Sequence, residues 1–377
     1  MKISVLQENL AQGLNIVSRA VSPRSTHAIL ANVLIAAEDG RLKLSATDRE
    51  LGITAWIGAK IEEPGATTVP ARTLADLVAT FPNDTIHMEL AVRTQTLQLS
   101  AGRSHAEIKG IDAQEFPPMP EPDKSAGIEL NAGDFKEMIG QVVFAASRDD
   151  ARPVLTGVLV TVEGDTITMA AADGFRLSVR KAKLAAPLDQ PLRAIVPARA
   201  LNELARIASD DKEQIHMVLP AGRGQIVFSL KNAELRCQLV EGAFPEYNQI
   251  IPNGHKTRTV VSAGAFLKAA KQSEIFARES SHIARLDIKP GDNGSPGTVE
   301  ISAQSEETGS NDSKIDAIVE GQEILIAFNV RYLREALDVM KSSDVALETT
   351  APAAPGVIRP VGDQDFLHVI MPMHLGK

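Results

Sequence analysis

The chain has 377 residues, 44% of them hydrophobic and 23% charged, with a formal net charge of −9. That length exceeds one ordinary core, so two or three domains are expected, and no apolar run reaches the ~18 residues of a membrane span. The acidic balance argues against a uniformly basic nucleic-acid binder, although a protein positive on one wall alone escapes that objection.

Cys237 is the only cysteine, so an intrachain disulfide is excluded and a reducing cytoplasm is expected. The opening MKISVLQENL lacks the apolar stretch of a secretory leader.

In chain order, one plan occurs three times: helix, β meander, second helix, further strands. The first copy opens with Leu6, Leu10, Leu14, Val17 and Val21 at helical spacing. ILANVLIAA and RLKLSAT follow, joined by the turn Glu38-Asp39-Gly40, and then the predicted helix VPARTLADLVATF. The second copy opens with Phe135, Met138, Ile139, Val142 and Val143. VLTGVLVTV and TITMAAA follow across Glu163-Gly164-Asp165, and then VPARALNELARIA. Asp-Gly and Gly-Asp between apolar alternating runs signal hairpins, and Pro70 and Pro197 suit a helix start. The third copy opens with Phe266, Leu267, Ala270, Ile275 and Phe276, continues through IARLDIKP and TVEISAQ across a glycine-rich linker, and reaches FNVRYLREALDVM. Pro70 and Pro197, Asp48 and Asp173, and Phe116 and Phe244 are spaced alike, by about 125 to 128 residues, as repeats require. The expected domains are 1–122, 126–252 and 256–377, each an α+β unit of two helices and roughly eight short antiparallel strands. Pro117–Ser125 and Ile251–Lys256 read as linkers.

The order of these elements, with AILANVLI, RPVLTG, DGFRLS, EGAFPEY, FNVRYL and the ending VIMPMHL, resembles the bacterial DNA polymerase III β subunit, the β sliding clamp family, over the whole chain. The resemblance implies a DNA-clamp fold and a head-to-tail homodimer. Six repeats then form a ring with twelve helices inside and sheets outside. Twelve helices ~10 Å wide leave a hole of roughly 28 Å, enough for duplex DNA. Its implied partners are double-stranded DNA without sequence choice, the DNA polymerase III α subunit, a clamp loader complex, and other polymerases and repair proteins carrying clamp-binding peptides. No cofactor, metal or membrane is expected, and the implied location is the cytoplasm, at the nucleoid during replication.

If the six helices face DNA, they should be less acidic than the rest. Their segments hold ten basic and eight acidic residues, a small margin of the expected sign. The resemblance assigns DNA contacts to Arg24, Arg72, Arg148 and Arg152, and helix positions add Arg199, Lys268 and Lys271. Asp149, Pro153 and Val154 depart from the family's contact types in the 148–152 loop. Contacts of this kind are to phosphates and carry no sequence information. The resemblance also implies a pocket for partner peptides at Leu155, Gly174, Phe175, Arg176, Leu177, Pro245, Ile250, Asn329, Tyr332, Val369, Ile370, Met371, Pro372 and Met373. Aliphatic walls and adaptable methionines suit varied apolar anchors, with Arg176 and Asn329 to hold peptide polar groups. Phe175 and His374 stand where the family often has histidine and arginine. For ring closure the resemblance points to the segment 103–111, with Ile108, opposite Ile275 and Phe276 of a second copy.

Phosphate-loop, H-E-x-x-H and G-x-S-x-G patterns are absent from the sequence. Asp149-Asp150 reads as a solvated loop neutralised by Arg148 and Arg152. Asp48 and Asp173 recur at equivalent places, which favours a turn role over chemistry. An enzyme using Asp149 or Asp150, a clamp-like scaffold that does not encircle DNA, and an antibiotic-resistant duplicate of a housekeeping clamp are the rival readings.

Overall fold

The computed structural model describes residues 1–22, 26–38, 40–119, 127–220, 224–279, 281–292 and 295–374. Arg24, Asp39 of the first predicted turn, and most of the first predicted linker lie outside them.

Six helices of the expected plan form: α1 Gln7–Val17, α2 Ala71–Thr80, α3 Ala132–Val142, α4 Ala198–Ile207, α5 Ala263–Ala277 and α6 Val330–Asp338. α1 buries Leu10, Gly13, Leu14 and Val17. Leu6 departs from the predicted face: it ends the strand Lys2–Leu6 and is 47% exposed. All five apolar residues predicted for the second copy are buried. In α5 the buried face runs through Phe266, Ala269, Ala270, Ser273 and Ala277, while Ile275 is exposed. At 100° per residue, position 275 lies half a turn away from Phe266, so the predicted apolar series crosses from one face to the other.

Contacts divide the chain into two compact units. The first is Met1–Phe135 with Arg199–Leu239, and the second is Lys136–Ala198 with Val240–Lys377. In the first unit a five-stranded sheet runs in the order Lys60–Glu63, Lys2–Leu6, Thr85–Ala91, Thr96–Ala101, Ser104–Lys109. An eight-stranded sheet carries strands of two repeats, because Ala233–Gln238 pairs antiparallel with Leu51–Gly58. In the second unit a ten-stranded sheet is continuous in the same way, through Arg176–Arg180 paired with Phe366–Ile370. Every strand pair in these sheets is antiparallel. The middle repeat is divided between the units because its strands extend the sheets of both neighbours.

The second copy pairs as the first does: 157–162 lie against 192–197 and 166–172 against 177–183, as 32–37 lie against 65–70 and 41–47 against 52–58. Gly157–Ala172 pairs with Arg176–Pro197 in two stretches, and the register shifts around Gly164. Gly164 sits at φ +57° between the two stretches, at the predicted turn, as Gly40 sits at φ +74° in the first copy.

Candidate functional site: an apolar surface in the second unit

Asp173 builds the turn that leads into this surface. Its Oδ1 accepts hydrogen bonds from the Phe175 N–H at 2.9 Å and the Arg176 N–H at 3.1 Å. Asp48 does the same for Glu50 and Leu51 in the first copy, which is the turn role expected from the repeat. Gly174 takes φ +96° at the centre of the second turn, a conformation that glycine adopts without strain. The turn lifts Phe175 outward to 57% exposure.

The C-terminal segment runs beside this turn. After strand Phe366–Ile370, the Met371 N–H donates to the Phe175 carbonyl at 2.9 Å, and the Met373 N–H donates to the Ala327 carbonyl at 2.8 Å. Pro372 forms an antiparallel bridge with Phe328. The Met371-Pro372-Met373 segment therefore crosses from the Phe175 turn to the end of strand Ile324–Asn329. Phe175 and Met371 are exposed apolar side chains here, and Ile250 is exposed in the same unit. Beneath them, Leu159, Leu177, Val179, Ile195, Phe244, Val357 and Val369 form a buried cluster, with Val154, Leu155, Tyr247 and Ile251 packed against it. Of the predicted pocket residues, Leu177, Val369 and Ile370 are thus core: they shape the floor and offer little surface. Pro245 is exposed, and Tyr332 is half-buried.

Arg176 departs from its expected part. Its side chain is 8% exposed and its donors are engaged within the unit. Nε donates to Asp173 at 3.1 Å, Nη1 to Glu335, and Nη2 to the Phe144 carbonyl at 2.6 Å. Its guanidinium lies 4.2 Å from the Tyr332 ring centroid and 5.3 Å from that of Phe144. Arg176 is therefore placed to hold Tyr332 in position rather than to reach a peptide. Burial acts to raise the Glu335 carboxyl, but hydrogen bonds and charge from Arg176 and Arg331 bring it below the usual range. Asn329 caps α6: its Oδ1 accepts from the Arg331 and Tyr332 N–H groups. Behind the arginine, fully buried His368 stacks on Phe144 and hydrogen-bonds Ser178 Oγ at 2.6 Å. Burial, helped by the nearby Arg176 charge, pushes its pKa down to about 3, so the ring is neutral at ordinary pH. Phe144, Glu335 and His368 are absent from the sequence-based set. The one available signal was a buried-strand arginine among apolar neighbours, which demands a carboxylate partner.

Arg24 lies outside the described residues; the other six residues assigned to DNA are exposed, and four of them are paired. Arg72 lies near Asp76 at 3.6 Å, Arg152 near Asp149 at 3.3 Å, Arg199 near Asp48 at 2.6 Å and Lys271 near Asp338 at 2.9 Å. Arg148 and Lys268 are exposed. At the expected closure segment, Ser104–Lys109 is an edge strand, but Ile108 is 6% exposed and serves its own core. Ile275 is open and Phe276 packs partly on the third repeat's core.

Repeats are joined edge to edge through continuous sheets, and an apolar patch lies beside a repeat junction. Three family profiles cover almost the whole chain: the N-terminal, central and C-terminal domains of the DNA polymerase III beta subunit match residues 1–120, 129–246 and 248–374. The "Beta sliding clamp" of Synechococcus elongatus is 33% identical over 100% of both chains, and that of Bacillus subtilis 31% over 99% of both. Among solved structures, the B. subtilis DNA polymerase sliding clamp superposes with a TM-score of 0.94 at 30% identity, covering 100% of each chain. A Pseudomonas aeruginosa sliding clamp bound to griselimycin gives 0.92 at 28%, again covering 100% of each. The chain belongs to the DNA polymerase III β subunit family, the DNA sliding clamps.

Proposed function

We propose that two copies of this chain close head to tail into a ring around duplex DNA and tether a replicative polymerase to it. The observation that carries this reading is the full-length, three-repeat match to the clamp family. On this reading the repeats are 1–122, 126–252 and 256–377. The free edge Ser104–Lys109 of one copy pairs with the third repeat of the other, beside Ile275 and Phe276. The surface around Phe175, Ile250, Asn329, Tyr332 and Met371–Met373 takes short partner peptides from the polymerase α subunit, the clamp loader, and other polymerases and repair proteins. Arg24, Arg72, Arg148, Arg152, Arg199, Lys268 and Lys271 meet phosphates. The chain is an accessory subunit with no reaction of its own, and it works in the cytoplasm.

Retention on a nicked circular plasmid, after loading with the cognate loader and ATP and washing in high salt, tests the ring. Phosphate contacts alone are lost in high salt, whereas an encircling ring stays until the circle is cut. Loss from intact circles, with the loader active on another clamp, would remove this reading.

A further inference from the structure

α4 buries Ala200, Leu201, Leu204 and Ile207, so Arg199, Glu203 and Arg206 form a stripe on its other side. Arg19, just beyond α1 in the same unit, joins that stripe. Glu203 takes Arg19 at 3.1 Å through one oxygen and Arg206 at 2.9 Å through the other. Asp48 takes Arg199 at 2.6 Å, and Arg199 also donates to the Arg19 carbonyl at 3.3 Å. The two carboxylates are recessed, at 13% and 12% side-chain exposure, whereas Arg199 and Arg206 stand at 51% and 60%. Three cations thus sit in front of two anions, and the cluster shows solvent about one net positive charge. In the second unit Asp338 pairs with Lys271 and Arg334, Glu274 also pairs with Arg334 at 2.7 Å, and Glu137 pairs with Lys341, so there the cations do not outnumber the carboxylates.

We infer that Glu203 and Asp48 are positioning residues that hold the arginines of the DNA-facing helices in compensated pairs and so keep the grip on phosphate weak. The inference rests on the proposed ring. A phosphate approaching Arg199 or Arg206 meets a guanidinium already half neutralised by a carboxylate behind it. Fewer counter-ions are released per contact, so the affinity and its salt dependence are both lower than the number of arginines implies. Weak, sequence-independent contact is what a sliding protein needs. Strong contact at the same arginines would hold it in place.

The test uses the full-length protein with Glu203→Gln and Asp48→Asn, singly and together. Asn at 48 keeps the oxygen that caps the turn, and Gln at 203 keeps the side chain's size, so both variants should melt close to the parent. Affinity for a short blunt duplex, which needs no loading, is measured across salt concentrations. Each phosphate contact freed should steepen the log–log slope by about 0.9, so that the variant-to-parent affinity ratio grows about eightfold between ~1 M and ~0.1 M salt. Retention on nicked circles is measured in parallel. If folded variants keep the parental slope, or bind more weakly while still being retained on circles, the compensation inference fails and the ring stands. If parent and variants all wash off circles, the ring itself fails.

Discussion

Arg176 concentrates more charge in a small dry volume than any other residue of the candidate site. It satisfies two carboxylates, a carbonyl and two rings, so its removal strips Asp173 of its ion-pair partner and leaves Glu335 with Arg331 and Arg334 alone. Arg176→Ala should cost about 3–5 kcal/mol in chemical denaturation, and an unchanged midpoint would show that the network contributes nothing net. His368 makes a second prediction at this scale. Its native pKa of about 3 lies below the value of ~6.5 for an unfolded histidine. The unfolded state therefore binds a proton that the native state refuses. The stability from this group is complete above pH ~6.5, falls by up to ~1.4 kcal/mol per unit as pH drops toward ~3, and changes no further below that. Urea midpoints of the parent and of His368→Gln should converge as pH is lowered from 7 to 4; parallel curves would contradict the assignment. Asp173 was legible in the sequence because its task is local: it caps a turn two and three residues ahead. The partners of Arg176 were not, since Glu335 is 159 residues away and Phe144 is 32, and no spacing rule connects them.

Among the elements, α1 shows how an exposed-helix rule reverses in a core. Alanine in place of glycine favours an isolated helix by up to about 1 kcal/mol. At Gly13, however, an added Cβ meets Leu44 Cδ1 at 2.8 Å and Ile57 Cγ2 at 3.1 Å, and Leu44 is fully buried. Gly13→Ala should be destabilising by about 1–3 kcal/mol through overpacking, read as a lower melting temperature; a rise would mean that the α1 face can spread. The helical pattern gave α3 almost residue by residue and α1 through Leu10, Leu14 and Val17, because a period of 3.6 marks one continuous buried stripe, while Leu6 and Val21 fall outside α1. It faltered at α5, where Ile275 follows Phe266 and Ala270 in the sequence but leaves the stripe. The turns were legible from their Asp-Gly and Gly-Asp pairs, but the lengths of the strands beside them were not, because pairing length depends on the partner strand. The ion pairs along the helices were equally hidden: a count of ten bases against eight acids says nothing about which of them touch.

For the molecule as a whole, the exposed Ile275 separates folding from assembly. It is 59% exposed in the single chain, so Ile275→Ser should leave monomer stability within about 0.5 kcal/mol. Under the proposed ring it should also weaken the dimer, read as a shift toward monomer on dilution in analytical ultracentrifugation. Unaltered dimerisation would move the closure contact elsewhere. The three-repeat organisation was legible because paired landmarks recur at a nearly constant interval, whereas the division of the middle repeat between two compact units was not, since it arises from sheet pairing across repeat borders.

That pairing has a further consequence. Five cross-strand residue pairs, from Ala233–Ala55 to Cys237–Leu51, bind the first repeat to the second without any help from the peptide link between them. A chain expressed as two pieces, severed within 120–126, should therefore reassociate into one particle that migrates with the intact protein. The repeats would behave as separable parts of a kit, joined by a shared seam, with the backbone between them serving only to keep the parts in equal number.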